Sequence, residues 1–396
     1  MPPTRKALLP FAALSGSYFA HIGFFNPYLP LWLKDLGLGL VVISLMTALQ
    51  AFSRVFAPLL WGWISDHTGE RVRLLRLGAA VALASACLLG LNLSPWWLGA
   101  VLLVMFCHTS AMMPMSEAAM AHLVSRDGSF DARLYGRVRL WGSIGFLITV
   151  LAAGAAFERW GMRLFPLVTV LSLLMVCLSV WQLPDLKEVQ HGQQGALPIG
   201  PILAQRRVRW FFASAFLHVL SHIGIYVFFS LYLDSLGYSK TLIGGLWAVS
   251  VVVEILWFFF QARWLPLMSL NAWLLVCALA MAARMLLTAG WGGLLPALLL
   301  AQLLHALTFA AHHTACTALL SEFFPGRLRG RGQALYTVIG YGIPGVIGAV
   351  SGGWLSEHHG LSSVYWLSML ISLLASLTAW QVWRLVPRQA LPRGTA

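Results

Sequence analysis

The chain alternates long apolar runs with short polar breaks. Twelve runs can be marked, at roughly 8–33, 40–64, 74–93, 97–124, 135–157 and 165–183, then 210–236, 241–263, 272–289, 294–320, 333–355 and 364–382. Each approaches or exceeds the ~18–20 residues that a helix needs to cross a bilayer. A backbone in lipid must also satisfy its own hydrogen bonds, which a helix does. The pattern therefore predicts an all-α polytopic membrane protein with twelve transmembrane helices. The longest polar stretch, 185–209, contains KEVQHGQQG and QRRVR. Its Gly, Gln and Pro content suits a flexible cytoplasmic linker with a basic amphipathic end on the membrane surface. It divides the chain into one six-helix half at 1–184 and another at 210–396. The opening MPPTRK leads into a run that continues to Leu33. That is too long for a signal-peptide core, so a retained first helix is expected.

Composition agrees with the pattern. Of 396 residues, 59% are hydrophobic and 10% charged, against about 25% charged in soluble domains. The net charge of +13 raises the question of nucleic acid, but Lys and Arg fall in short clusters between apolar runs and build no continuous basic face. No nucleic-acid partner is expected. Lys34, Arg159, Arg163 and Lys240 lie in odd-numbered loops, Arg54 and Arg284 deep inside runs, and the remainder at the termini, in even-numbered loops or at the run ends that border them. That asymmetry puts both termini in the cytoplasm. The five cysteines all fall inside runs, without ligand spacing, and read as reduced packing residues. No Walker motif, metal cluster or nucleophile–base pair appears, so the expectation is no enzyme, no cofactor and no ATP drive.

The loop after the second run reads Gly62-Trp-Ile-Ser-Asp66-His-Thr-Gly69-Glu-Arg71-Val-Arg73. It resembles the G-x-x-x-D-R-x-G-R-R/K signature of the major facilitator superfamily, with His67 and Glu70 replacing basic residues. Glycines let two helices approach closely, and Asp66 can hold a helix end or a basic residue. Gly62, Asp66, Gly69 and Arg71 thus read as a gate latch. The equivalent loop after the eighth run, Gln261-Ala-Arg263-Trp-Leu-Pro266, is degenerate. The fifth run opens with Tyr135-Gly136-Arg137-Val-Arg139-Leu-Trp141-Gly142-Ser-Ile-Gly-Phe146. This is similar to the phenylpropionate permease branch and, more distantly, to lactose-permease-like sugar symporters. Pro27, Trp32-Leu-Lys34 and segments 246–254 and 304–313 carry the same resemblance. It implies two pseudo-symmetric halves, a monomeric carrier and the bacterial inner membrane. In the sugar symporters of this group the second arginine of the motif binds substrate together with a carboxylate on helix four, which implies Arg139 and Glu117 here.

Charge inside the runs is scarce. Glu117 and Glu254 are the carboxylates placed well within runs, and each costs about 2.5–3.5 kcal/mol on insertion scales, which marks it as functional. Arg137 and Arg139 lie about 200° apart around a helix, so one can face inward while the other anchors at the interface. Arg54, with Gln50 one turn before it, can pair with Glu117, bind helix carbonyls or attract an anionic substrate. Glu254, Arg284 and His305 fall on runs eight, nine and ten. The resemblance implies proton coupling through such a set. A guanidinium moving toward or away from a carboxylate changes the latter's proton affinity, and histidine, with an ordinary pKa of about 6.5, can relay or tune the step. The sugar symporters carry a further carboxylate three residues after this histidine; here that residue is Thr308, which disfavours a sugar and leaves Glu254, His305 or Glu117 to hold the proton.

Two more histidines join the candidate coupling set. His312 is seven residues after His305 and within about 20° of it on an ideal helix, whereas His313 is turned by about 80°; the permease resemblance falls on His313. His218 and His222 are four apart but lack a further ligand at suitable spacing, so no metal is expected; His222 and Tyr226 read better as cavity lining. Phe146 shares the Arg139 face and can stack on a ring, with Trp247 as a further ring contact. Gly342-Ile-Pro344-Gly345 predicts a kink in the eleventh helix. The expected function is secondary-active import of a small organic solute with protons across the lipid bilayer, driven by the proton gradient through alternating access. An aromatic carboxylate such as a phenylpropionate-like acid is the favoured cargo. The alternatives are a proton-driven exporter or antiporter, and a sugar or nucleoside symporter.

Overall fold

A computed structural model describes residues 5–91, 94–126, 129–130, 132–185 and 198–386. Among these, the twelve long helices are α1 Leu8–Asp35, α2 Leu40–Thr68, α3 Arg71–Leu88, α4 Pro95–Met120, α5 Val138–Trp160 and α6 Met162–Trp181, then α7 Arg206–Ser235, α8 Lys240–Leu267, α9 Leu270–Trp291, α10 Leu295–Phe323, α11 Arg329–His359 and α12 Leu361–Arg384. Eleven are long and apolar enough to cross a membrane; α3 is the exception by composition, because Arg71, Arg73 and Arg76 crowd its first turns. It nevertheless packs between α4 and α6. A pair of two-residue strands, Ser125–Arg126 and Ser129–Phe130, follows α4. The KEVQHGQQG part of the expected linker lies outside the described residues. The basic QRRVR segment is not a separate surface helix: α7 already begins at Arg206, after a short helix at Gly200–Leu203.

The halves repeat each other in detail. α1 ends in a turn where Gly37 takes φ 80°, and α7 ends where Gly237 takes φ 83°. Only glycine enters this left-handed region without strain. The backbone closes both turns the same way, from Leu38 N–H to Leu33 O at 3.2 Å and from Tyr238 N–H to Leu233 O at 3.1 Å. This is the six-to-one bond of a Schellman cap.

On the face bearing the α1–α2 and α7–α8 loops the halves are bolted together. Lys34 Nζ meets Asp234 Oδ2 at 2.8 Å. Glu158, at the end of α5, accepts the Lys240 N–H at 2.6 Å, and Glu357, at the end of α11, accepts the Val41 N–H at 3.1 Å. Each carboxylate therefore caps the first turn of a helix in the other half, where free N–H groups and the helix dipole favour an anion. Beneath them the Tyr28 hydroxyl donates to Lys240 O at 2.9 Å. The α5–α8 crossing at this point has room for hydrogen only: a Cβ on Gly154 would meet the Tyr28 hydroxyl at 2.5 Å, and one on Gly244 would meet Val150 O at 2.6 Å.

Apolar packing has the same polarity. One core joins the N-terminal half, with Phe24, Phe25 and Phe165, to Phe228, Phe229, Trp247 and Tyr365 of the C-terminal half near the bolted face. A second core, around Phe211, Trp257, Trp273 and Phe324, fills the opposite end of the C-terminal half alone. The halves are fused at one face and part at the other.

Candidate functional site

Between the halves lies a cavity of about 450 Å³, walled by α1, α2 and α5 on one side and α7, α8, α10 and α11 on the other. A second space of about 440 Å³ shares Phe19, Ile22, Gln50, Arg54 and Tyr341 with it and continues past Pro58 and Thr337 toward the α2–α3 face. The cavity therefore communicates with one face and is sealed from the other.

The N-terminal wall is cationic and aromatic. Arg54, Arg139 and Phe146 all line it, with Phe19 between them. The Arg139 guanidinium lies 4.2 Å from the Phe19 ring centre and its Nε 3.8 Å from Glu117 Oε1. Glu117 thus reaches the site through Arg139 and is not itself a lining residue, a correction to its expected place on the wall. Gln50 is engaged with Asn26 at 3.0 Å, leaving Arg54 without it.

The C-terminal wall carries Tyr226, Trp247, Ser250, Glu254, His305, Phe309 and His313. Behind it sits Arg284, completely buried. Its Nη1 is shared among His305 Nδ1 at 3.0 Å, His222 Nε2 at 3.2 Å and Thr308 Oγ1 at 2.9 Å, and its Nη2 donates to Gln302 Oε1 at 3.0 Å. Gln302 Oε1 also receives the Ser250 hydroxyl at 2.5 Å. A guanidinium has only N–H groups to give, so a ring nitrogen hydrogen-bonded to it, as His305 Nδ1 is at 3.0 Å, presents its lone pair. The proton of His305 is thereby placed on Nε2, which lies 3.5 Å from Glu254 Oε2. His305 is a neutral spacer that accepts from the arginine and faces the carboxylate with its N–H. Glu254, with 27% of its side chain exposed against 6% for His305, is the acidic end that reaches the cavity. The sequence suggests a guanidinium that moves toward and away from Glu254; in the structure His305 stands between them.

Three placements differ from helical arithmetic. α10 contains a π-helical turn at Ala306–Ala311, whose wider i→i+5 winding breaks the seven-residue repeat. His305, Phe309 and His313 consequently stack in one column, with ring centres 5.2 and 6.2 Å apart, along the cavity. His312 is turned away, stacked on His218 at 3.6 Å and touching Cys316. It is removed from the Arg284 cluster. His222 likewise is no lining residue: it lies buried behind Tyr226, stacked on it at 4.4 Å, and serves Arg284. A second π turn, Val338–Gly342, precedes Pro344 in α11, where the proline ring cannot follow a regular α-turn.

Sequence reasoning passed over Gln302, Ser250, Phe19 and Tyr341. Gln302 and Thr308 each stand three residues from His305, one helical turn to either side, which was the available signal. At the α2–α3 loop Gly69 caps α2 with φ 69°, Arg71 Nε donates to Ser65 Oγ at 3.0 Å and its Nη2 meets Asp66 Oδ1 at 3.2 Å. Asp66 is thus held by its own loop on the face where the halves part. Among the described residues no group of three metal-ligating side chains converges.

Residues 14–367 match the sequence model of the MFS_1 like family. The chain is 27% identical over 366 residues to the probable 3-phenylpropionic acid transporter of Escherichia coli K12, covering 91% of this chain and 93% of that one. It is 25% identical to the maltose permease of Geobacillus stearothermophilus, over 91% of this chain and 90% of the relative. Among solved structures it is similar to the nucleoside transporter NupG, with a TM-score of 0.81 at 15% identity over 95% of this chain and 98% of that one. It is also similar to a D-xylose–proton symporter, with a TM-score of 0.68 at 15% identity over 95% and 98%. These likenesses establish the fold.

Proposed function

Because the chain belongs to the MFS_1 like family, and so to the major facilitator transporters, we propose that this multi-pass membrane protein imports a small aromatic carboxylate together with a proton. The observation that carries the reading is a cavity with arginines on one wall and a solvent-reachable carboxylate, Glu254, on the other. The cationic wall holds the anion, and Phe19, Phe146, Tyr226 and Trp247 offer faces and edges to a ring. Glu254 takes the proton, and the His305–Arg284 pair behind it sets how strongly that proton is held. The name of the Escherichia coli relative, a probable 3-phenylpropionic acid transporter, supports the aromatic acid.

The basic residues of the α2–α3 face, Arg71, Arg73 and Arg76 with Arg206, Arg207 and Arg209, orient it toward the cytoplasm of a bacterial inner membrane. The structure is then an inward-open carrier, its outer seal made by Lys34, Glu158 and Glu357. Rocking of the halves about the cavity would break that seal and close the Asp66 face.

The test is uptake of 3-phenylpropionate into proteoliposomes with an alkaline lumen. Wild type should accumulate it against its gradient. Glu254→Gln should lose accumulation yet keep substrate exchange at equal pH, since the cavity and its arginines are intact. Undiminished accumulation in Glu254→Gln would refute the assignment of the proton.

A further inference from the structure

Around the cavity, charge is compensated at every described group but one. Arg139 has Glu117 at 3.8 Å. Glu254 faces His305, which is hydrogen-bonded to Arg284. Arg54 has no ion pair or hydrogen bond among the described residues, is exposed, and lines both the central cavity and the passage that leads to it. The other titratable side chains that line the cavity are Tyr226 from α7, His313 from α10 and Tyr341 from α11, residue types whose ordinary form at pH 7 carries no charge. An arginine inside a membrane protein faces a partner or a water-filled cavity, and Arg54, exposed in the passage, is placed to take an anion that arrives through it.

We infer that Arg54, and not Arg139, is the anion anchor, and that the site takes a monocarboxylate with one proton in an electroneutral cycle. This rests on the proposed proton coupling through Glu254 and deepens it. The charge count is direct. The empty carrier with Glu254 ionised holds one unbalanced positive charge, on Arg54. In the loaded carrier the substrate carboxylate cancels Arg54, and the proton on Glu254 uncovers the charge of Arg284. One unbalanced positive charge remains in both, so the two halves of the cycle move equal charge in opposite directions and the whole cycle moves none. A dianion carried with one proton would leave the loaded carrier without that charge, so the cycle would move one net negative charge. A zwitterion or an uncharged solute carried with a proton would add a positive one.

Two measurements on the full-length protein test this. In proteoliposomes, a pH gradient should concentrate radiolabelled 3-phenylpropionate about tenfold per pH unit, as one proton per anion requires. A valinomycin–potassium potential of either sign at equal pH should leave the plateau within about twofold. A carrier that moves one net charge would shift it by roughly 50-fold for 100 mV, which overturns the inference. In detergent, thermal-shift assays should show protection by 3-phenylpropionate and none by phenylsuccinate, phenylalanine or 3-phenylpropionamide. Arg54→Gln should abolish that protection while its unliganded melting temperature stays near wild type, and Arg54→Lys should keep electroneutral uptake with KM raised about tenfold or more. Protection by the dianion, zwitterion or amide equal to that by the acid overturns the inference, as does full acid binding in Arg54→Gln. Protection by pentanoate but not by 3-phenylpropionate would remove the aromatic reading and leave the monocarboxylate anchor standing; binding of no monocarboxylate would end both.

Discussion

At Thr308 a hydroxyl occupies the place where the sugar symporters of the resemblance carry a carboxylate, and the structure puts that hydroxyl 2.9 Å from Arg284. The buried guanidinium is therefore surrounded by neutral acceptors, and its nearest negative charge lies one imidazole away. This arrangement makes the acceptors individually important, because a hydrogen bond to a charged group contributes about 1.5–3 kcal/mol. Thr308→Val should lower the stability of the detergent-solubilised protein by about that amount, and Thr308→Ser should restore most of it, as read by thermal unfolding. Equal stability in all three would mean that Arg284 does not use the hydroxyl. Spacing made Glu254, Arg284 and His305 visible as a set. It could not order them, because which nitrogen of a histidine faces which neighbour is decided by tertiary packing of α8, α9 and α10.

At the scale of elements, hydrophobic run length found the helices, since in lipid nearly every spanning segment must close its own hydrogen bonds. Gly69 stood out as part of the α2–α3 loop motif, and the structure uses it, like Gly37 and Gly237, at the end of a helix. The winding inside α10 was not legible. An ideal helix places His312 beside His305, yet the π turn at Ala306–Ala311 gives that position to His313. No residue in ALTFAA announces the extra residue per turn; it follows from accommodating Arg284, His218 and the cavity wall at once, with His218 Nε2 donating to Thr308 O at 2.7 Å. The two histidines therefore part company experimentally. His313→Ala should alter the KM or pH profile of uptake severalfold, whereas His312→Ala should leave transport kinetics near wild type and instead loosen the His218 stack, lowering thermal stability. The reverse pattern would restore the regular helix.

Across the whole molecule the pseudo-two-fold relation is most explicit at the sealed face. Glu158 of α5 capping α8 and Glu357 of α11 capping α2 are the same contact made twice, once by each half. In the proposed cycle paired caps of this kind would be released together when the halves rock, which would make the seal cooperative. The bridge between Lys34 and Asp234 is of another kind, because the symmetry carries one residue onto the other while their charges are opposite. Two copies of the N-terminal half brought together in this way would set lysine against lysine, and two copies of the C-terminal half would set aspartate against aspartate. The bridge is thus a mark of unlike partners, a key that each half holds for the other and against itself. If the halves are expressed as separate chains, they should reassemble with each other in preference to pairing with their own kind. Lys34→Asp should weaken that reassembly about fivefold, the effect of the ~1 kcal/mol that a part-exposed pair contributes, and adding Asp234→Lys should recover it. A duplicated chain that has diverged at this position has become a matched pair that can no longer be built from one half alone.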